Sequence, residues 1–116
     1  MLGKIVLSKN TRLFRFTSNK KDHNLIEDDT IKKNTYLTTF NDQLFVNTGF
    51  GAVGRYAMPI PIPASYKHDY TFPKGTPLQV GTVAPNFGQA GGGVEVKTIS
   101  QVTGIICNPI ATIDDY

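Results

Sequence analysis

Alternating apolar and polar side chains make the segment from Thr11 to Thr17 the clearest strand in the sequence. Phe14 and Phe16 fall on one face of this predicted strand. Leu13 and Arg15 fall on the other face, so Arg15 projects opposite to the two aromatic rings. Short runs rich in β-branched or aromatic residues predict six more strands: Lys4 to Leu7, Thr35 to Phe40, Arg55 to Met58, Leu78 to Val83, Val94 to Ile99 and Val102 to Ile106.

Polar, glycine-rich and proline-rich stretches separate these strands. The stretch from Asn19 to Asp29 contains one apolar pair and predicts a short helix that begins near Ser18 or Asn19. Pro59, Pro61 and Pro63 lack a backbone N–H, so we expect edge or polyproline geometry there. The segment from Asn47 to Gly54 has three Gly around Phe50 and leads into the predicted strand at Arg55. Loops or turns are predicted at Tyr66 to Tyr70, Pro73 to Gly75 and Pro85 to Gly93, and a frayed end at Asp114 to Tyr116.

The composition narrows this pattern to a small globular protein. A length of 116 residues predicts a single domain, 1–116, and 40% hydrophobic with 18% charged residues exclude the disordered class. Eleven Gly and seven Pro favour short strands and turns over long helices. The N-terminal apolar patch at Ile5 to Leu7 is too short for a signal or membrane segment, so we expect no membrane partner. We expect an α+β fold that is mostly β.

The charge of the chain is concentrated in its first half. Residues 1–58 carry nine Lys or Arg against five acidic residues, whereas residues 59–116 carry three against four. A basic half of this size is compatible with phosphate groups on a dinucleotide or a nucleic acid, and equally with an ordinary solvated surface.

Several common kinds of chemistry are disfavoured by the residues present. Cys107 is the one cysteine and lies in an apolar run, which predicts a buried hydrophobe with no disulfide and no nucleophilic role. His23 and His68 are far apart, and neither stands at ligand spacing from other candidate ligands, so we expect surface histidines and no metal. Neither a phosphate-binding glycine loop of the usual kinds nor a nucleophile elbow is present.

The triple glycine Gly91-Gly92-Gly93 directly precedes the strand that contains Glu95. Consecutive glycines lose much conformational entropy on folding, so they predict unusual dihedrals or a close approach of the backbone to a ligand. The simpler interpretation is a flexible hairpin loop. Because Val94 and Val96 share one face, Glu95 turns to the other, where its carboxylate is placed to line a cleft.

Three segments in this order resemble the ADP-ribosyltransferase superfamily, particularly the C-terminal toxin domains of bacterial polymorphic toxins. The segments are Leu13-Phe14-Arg15-Phe16, Tyr36-Leu37-Thr38-Thr39-Phe40 and Gly91-Gly92-Gly93-Val94-Glu95. The resemblance implies two small packed antiparallel sheets around an NAD cleft. It also implies that Arg15, or Arg12 in another register, holds the NAD phosphates. Tyr36, Thr38 and Thr39 would support the nicotinamide half, and Glu95 would assist catalysis.

The segment from Val83 through the glycines is also similar to NAD glycohydrolases of the tuberculosis-necrotizing-toxin family. This likeness adds Phe87, Gln89 and Gly92 as expected NAD-binding residues. The chain departs from that pattern in having Ala90 where Pro is usual and Glu95 where Gln is expected. It departs from many transferases in having Gly93 where a Glu or Gln stands two residues before the catalytic Glu.

The resemblance implies a bacterial toxin that cleaves NAD, releases nicotinamide and transfers ADP-ribose to a protein or RNA target. The alternatives are hydrolysis of NAD by water and a non-enzymatic β-rich binding module. The chemistry of these residue types suits the first two, because a guanidinium binds phosphate oxygens and a carboxylate stabilises an oxocarbenium-like ribose. We further expect a secreted effector that acts in the cytoplasm of a target cell, and a cognate immunity protein.

Overall fold

The computed structural model describes residues 3–116, which form antiparallel strands and two short helices. The expectation of a mostly β fold is confirmed. The elements are β1 (Gly3–Val6), β2 (Thr11–Thr17), β3 (Leu25–Glu27), β4 (Thr30–Ile31), β5 (Tyr36–Thr39), α1 (Phe40–Gln43), α2 (Gly49–Arg55), β6 (Tyr66–Phe72), β7 (Pro77–Thr82), β8 (Val94–Thr98), β9 (Val102–Thr103), β10 (Ile106–Cys107) and β11 (Ala111–Thr112).

The strands of the described residues form a large sheet and a small one. In the large sheet the order is β1-β7-β8-β5-β2-β6-β10, and β11 also pairs with β6. The small sheet has the order β3-β4-β9. All the strand pairs are antiparallel, as predicted.

The junction between β2 and β5 determines where a cleft opens in the large sheet. The two strands pair at Leu13 with Thr39 and at Phe14 with Thr38. Beyond these pairs β2 continues along β6, while β5 continues along β8. The ends of β2 and β5 therefore separate, and the sheet divides into two wings at this point.

Apolar side chains are buried in two clusters. The larger cluster lies between the wings and the small sheet, and includes Leu13, Ile31, Phe72, Leu78 and Val96. The smaller one surrounds α2: Phe16, Ala52, Val53 and Ala64. Since Leu13 and Phe16 lie in different clusters, both faces of β2 are covered.

Strands with a clear alternation were predicted with accurate bounds. The prediction for β2 matches at both ends, and the predicted strands at β1, β5, β7 and β8 differ from the observed ones by one or two residues. The turn at Pro73 to Gly75 and the loop at Pro85 to Gly93 are also confirmed.

Two polar segments differ from their predictions: the one predicted as a helix contains a short strand between turns, and the one predicted as a loop is part of a strand. The stretch from Asn19 to Asp29 contains β3, because Leu25 pairs with Ile31 across a tight turn. The segment Tyr66 to Tyr70 lies in β6, the strand beside β2, and His68 and Tyr70 point inward. The prediction of a surface His68 is therefore wrong, since its side chain is buried. The inward-facing residues of β6 alternate as expected for a strand. Because His68 and Tyr70 carry polar atoms, the sequence does not show this alternation as one of apolar and polar residues.

The glycine-containing segment before the prolines is a helix, and no strand follows it at Arg55 to Met58. Thr48 caps α2 by accepting a hydrogen bond from the backbone N–H of Gly51. Helical spacing buries Gly49, Ala52 and Val53 on one face. Gly49 has to be glycine, because a β-carbon there would collide with Ser65 Oγ. The predicted strand Arg55 to Met58 is the end of this helix and its exit turn.

Near the C-terminus, two expectations are wrong. The backbone N–H groups of Gly49 and Phe50 donate to the carbonyls of Asp114 and Asp115, so the end of the chain is docked on α2 and not frayed. Cys107 is exposed on β10, at the margin of the sheet. Its thiol donates to the Asp28 carbonyl at 3.3 Å.

Candidate functional site

A cavity of about 680 Å³ lies where β2 and β5 separate. It is lined by parts of four segments, 14–16, 36–38, 56–60 and 83–87, together with Glu95. Its size is within the range of small-molecule and cofactor sites. The walls are largely aromatic and aliphatic, with Arg15 and Glu95 as the charged residues that line it.

Five of the eight predicted site residues line this cavity: Arg15, Tyr36, Thr38, Phe87 and Glu95. They come from β2, β5, the loop before β8 and β8 itself. The antiparallel pairs β2–β5 and β5–β8 bring the three predicted segments side by side. The tertiary structure thus brings together a cation, a carboxylate and aromatic rings that are distant in the sequence.

Arg15 is held by two hydrogen bonds that it donates, one to the segment after β2 and one to β5. Its Nε donates to Asp22 Oδ1 at 3.0 Å, and its Nη1 donates to the Tyr36 carbonyl at 3.1 Å. The Asp22 side chain is 1% exposed. Burial alone would raise the pKa of Asp22, but the charge of Arg15 and several hydrogen bonds outweigh it and lower the pKa.

Glu95 is the second residue of β8, and its side chain lies on the cavity side of the strand. Val96 is buried in the larger core cluster and Val94 packs against it, as the alternation predicted. Gly81 is the cross-strand partner of Glu95 on β7, and it has no side chain to cover the carboxylate. Glu95 therefore remains partly accessible, at the position where the cleft meets β8.

Two aromatic rings stand at the rim of the cavity. Tyr36 is 52% exposed and Phe87 is 59% exposed, although both line the cavity. The Lys97 ammonium lies 5.8 Å from the centre of the Tyr36 ring. Phe87 has φ +51°, an unfavourable backbone conformation for a residue with a side chain. Exposed rings of this kind provide stacking surfaces for planar heterocycles.

Asp42 is a buried carboxylate that the sequence did not indicate, and it supports the wall of the cavity that contains Tyr56. Asp42 accepts hydrogen bonds from Arg55 Nη2 at 2.6 Å, from Arg55 Nε at 3.0 Å and from the Tyr56 hydroxyl at 2.8 Å. Burial is the largest influence on the pKa of Asp42 and opposes ionisation, but the bonds from Arg55 and Tyr56 lower the pKa. The same burial raises the pKa of Tyr56, which keeps its hydroxyl protonated as a donor.

Thr38 links this network to β8. Its hydroxyl donates to the Val94 carbonyl at 2.7 Å and lies 3.3 Å from Asp42 Oδ2. Tyr56, which also lines the cavity, stacks on Phe16 with the ring centres 5.6 Å apart. Asp42, Arg55 and Tyr56 were not predictable from spacing, because the network joins α1, the end of α2 and two strands.

Three of the predicted NAD-binding residues do not line the cavity. The Thr39 side chain caps α1 by accepting from the Asp42 backbone N–H. Gln89 forms a tight backbone turn with Asn86. Gly92 has φ +95° and donates to the Val83 carbonyl. Their proposed contacts with NAD remain predictions, and these positions indicate local structural roles.

The reserve candidate for the phosphate-binding residue, Arg12, lies away from the cavity lining. It forms an ion pair with Asp69, with Nη2 at 2.6 Å from Oδ2 and Nε at 3.2 Å from Oδ1. Its side chain is 52% exposed. The register of β2 therefore places Arg15, and not Arg12, at the cleft.

The triple glycine lets the chain pass closely against the end of α2. The N–H groups of Gly91 and Gly93 donate to the carbonyls of Gly54 and Arg55. Gly91 has φ +71°, and a β-carbon there would lie 2.7 Å from the Val83 carbonyl oxygen. The expected unusual dihedrals are thus present, and the close approach is to the helix end.

A second cavity, of about 350 Å³, lies behind Arg15 and is lined in part by Asp22, His68 and Tyr70. The His68 Nε2 atom lies 2.8 Å from the Thr17 hydroxyl. Burial lowers the pKa of His68.

Among residues 3–116, no cluster of three or more His, Cys, Asp or Glu side chains suits a metal ion. In that same part of the chain, no helix has the length and apolarity needed to cross a membrane.

Comparison with known proteins gives a match in structure. No protein-family model and no curated protein sequence matches the chain. The fold is similar to that of a solved structure, Rhs1-CT in complex with its cognate immunity protein RhsI1, with a TM-score of 0.67 and 10% sequence identity. The similarity covers 97% of this chain and 82% of that one. At this identity the likeness shows the fold, and the chain shares its architecture with Rhs1-CT.

Proposed function

We propose that this protein is a bacterial toxin domain that binds NAD in the cavity between β2 and β5 and hydrolyses its nicotinamide–ribose bond. The observation that carries the proposal is the convergence of Arg15, Tyr36, Thr38, Phe87 and Glu95 on one cavity. Four parts of the chain supply these residues: β2, β5, the loop before β8 and β8 itself. The resemblance in sequence implies a role in NAD binding or catalysis for each of them.

Four of these five residues have a role suited to their chemistry. The Arg15 guanidinium pairs with the pyrophosphate, for which its planar fork of donors is well matched. Tyr36 and Phe87 provide apolar faces for the rings of NAD. Glu95 accepts hydrogen bonds from the ribose attached to nicotinamide. Its negative charge stabilises the oxocarbenium-like transition state.

The reaction is a substitution at C1′ of that ribose. The bond between C1′ and the nicotinamide nitrogen breaks, and its electron pair leaves with neutral nicotinamide. A water molecule forms the new bond to C1′ and loses a proton to solvent. The products are nicotinamide, ADP-ribose and one proton.

Water is favoured as the acceptor by the position two residues before Glu95. In many transferases a Glu or Gln stands there. In this chain it is Gly93, which is buried against the Tyr56 ring. No side chain fits at this point to orient a macromolecular nucleophile. The second candidate, transfer of ADP-ribose to a protein or RNA, is favoured by the carboxylate of Glu95, where Gln is expected in the hydrolases.

The proposed setting is competition between bacteria or attack on a host. NAD is a cytoplasmic metabolite, so the domain would act in the cytoplasm of a target cell after delivery. The fold is shared with a protein solved in complex with a cognate immunity protein. We therefore include a cognate immunity protein among the partners, because a cell that makes an NAD-depleting enzyme needs to block it.

The test is to follow nicotinamide release from biotin-labelled NAD, with and without a bacterial lysate. Wild-type protein is expected to release nicotinamide without lysate and to label no macromolecule, and Glu95→Ala is expected to lower the rate of release by at least about 100-fold. The matched control is Glu27→Ala, because Glu27 is the other glutamate of the chain and is exposed on β3. It should retain full activity.

The other outcomes separate the alternatives. Label that appears on a protein or RNA band, and is lost in Glu95→Ala, would replace hydrolysis by transfer. If folded wild-type protein consumes no NAD under either condition, both enzymatic functions are excluded and the binding module is left.

A further inference from the structure

We propose that Asp22 is a positioning residue, which holds the Arg15 guanidinium in the orientation that binds the pyrophosphate of the dinucleotide, an inference that rests on the proposed function. Asp22 does not line the large cavity between β2 and β5, and the sequence did not indicate a role for it. It acts on the substrate through Arg15, which it contacts directly.

The Asp22 carboxylate is itself fixed by its surroundings. Its Oδ1 accepts from the backbone N–H of Asn24 at 3.0 Å in addition to Arg15 Nε. Its Oδ2 accepts from the Tyr70 hydroxyl at 2.8 Å. Tyr70 is 3% exposed and belongs to the larger core cluster. Since both oxygens are bonded to well-packed groups, the carboxylate offers Arg15 an anchor with little freedom to move.

The two bonds of Arg15 set the plane of its guanidinium. Nε donates to Asp22 and Nη1 donates to the Tyr36 carbonyl, so the group is tied both to the segment after β2 and to β5. A guanidinium carries five N–H donors, and these two bonds leave three on a group that lines the cavity. Recognition of phosphate by two parallel hydrogen bonds depends on that orientation.

The chain contains a matched pair that serves as a control. Arg12 lies on β2, as Arg15 does, and forms a bidentate ion pair with Asp69 on the neighbouring strand β6. Neither residue lines the large cavity. Removal of Asp69 therefore tests the general effect of losing an arginine partner near β2, without changing Arg15.

The first experiment measures the affinity for ADP-ribose by calorimetry, because this product contains the pyrophosphate and binding needs no turnover. Asp22→Ala is expected to weaken binding about tenfold, as is usual for the loss of a group that orients a ligand-binding side chain. Asp22→Asn keeps an oxygen for Arg15 Nε and should restore most of the affinity. Asp69→Ala should leave the affinity unchanged.

The second experiment repeats Asp22→Ala in an Arg15→Lys background. A lysine ammonium has no planar set of donors that a carboxylate could align. If Asp22 acts through Arg15, adding Asp22→Ala in this background should therefore weaken ADP-ribose binding by less than about a further twofold. Equal losses in the two backgrounds, or an unchanged affinity in Asp22→Ala alone, would overturn the positioning role. If Asp22→Ala does not fold, Tyr70→Phe carries the same comparison. It removes one anchor of the carboxylate but keeps the ring.

The NAD-cleavage rate of the wild-type protein separates this inference from the proposed function. If the wild-type protein cleaves NAD, but the Asp22 and Arg15 substitutions affect ADP-ribose affinity independently, the proposed function stands and the positioning role of Asp22 is refuted. Coupled effects on ADP-ribose affinity without cleavage support the role of Asp22 and refute the hydrolase. Failure of the wild-type protein to bind ADP-ribose overturns the positioning role.

Discussion

Gly93 and Tyr56 are in such close contact that a β-carbon on Gly93 would lie 2.6 Å from Cε1 of the tyrosine ring. The ring is held on its other side by Phe16, and its hydroxyl is bonded to Asp42. Because the ring cannot move aside easily, this contact sets the distance between the end of α2 and the start of β8. Tyr56 and Glu95, two residues lining the cavity, are positioned by it.

Gly93→Ala is expected to lower the stability of the protein by about 1–3 kcal/mol, because the added methyl group overpacks a filled site. It should also reduce NAD cleavage, since β8 or Tyr56 must shift. Thermal unfolding and nicotinamide release measure the two effects. The control is Gly3→Ala, where a β-carbon meets nothing within 4 Å. An unchanged melting temperature in Gly93→Ala would show that the ring yields freely.

Acid should destabilise the protein partly through Asp42, whose pKa is lowered in the folded state. An unfolded aspartate has a pKa of about 3.9. The ionised Asp42 therefore stabilises the fold above that pH, and this stability is lost as the pH falls through the lower, folded pKa. Urea unfolding of the wild-type protein and Asp42→Asn from pH 7 to pH 3 measures the effect. The stability difference between them should shrink at low pH. A constant difference would contradict the ionised pairing with Arg55.

Tyr36→Ala is expected to raise the KM for NAD about tenfold, because a stacking surface for a base or for nicotinamide is lost. Tyr36→Phe keeps the ring and should bind NAD normally. Since Tyr36 is 52% exposed, neither change should alter the melting temperature much. An unchanged KM in Tyr36→Ala would remove Tyr36 from the binding site.

Substitutions at Phe87 should separate stability from binding. Phe87→Gly relieves the left-handed backbone conformation at φ +51° and is expected to stabilise the fold by about 0.5–1 kcal/mol. The loss of the ring from the cavity should weaken NAD binding at the same time. Phe87→Ala keeps the strained backbone and loses the ring, so it should weaken binding without the gain in stability. Equal melting temperatures for these two variants would count against backbone strain.

Thr39→Ala should lower stability by about 1 kcal/mol without changing the KM for NAD, because Thr39 caps α1 and does not line the cavity. Thr39→Ser should keep the cap. The comparison with Thr38→Ala is informative, since Thr38 lines the cavity and bonds to the Val94 carbonyl. A raised KM in Thr39→Ala would restore the role in NAD binding that the resemblance implied.

The local pattern determined the strands whose signal is contained within a few residues. β2, β7 and β8 were found with bounds accurate to one or two residues, because alternating apolar side chains and flanking turns specify them locally. β6 carries the same alternation, but its inward residues include His68 and Tyr70, whose polar atoms are satisfied only in the folded protein. α2 was missed because its glycines suit a loop unless the close contacts of Gly49 are known.

The sequence by itself also determined the residue types available for the site: a cation on β2, aromatic residues beside it and a carboxylate on β8. Tertiary structure decided which of these face the same space. Alternation cannot choose between Arg12 and Arg15, and the pairing of β2 with β5 and β6 places Arg15 at the cleft. Asp22 and Asp42 acquire their partners through the fold, because a buried carboxylate is stable only where several chain segments supply its hydrogen bonds.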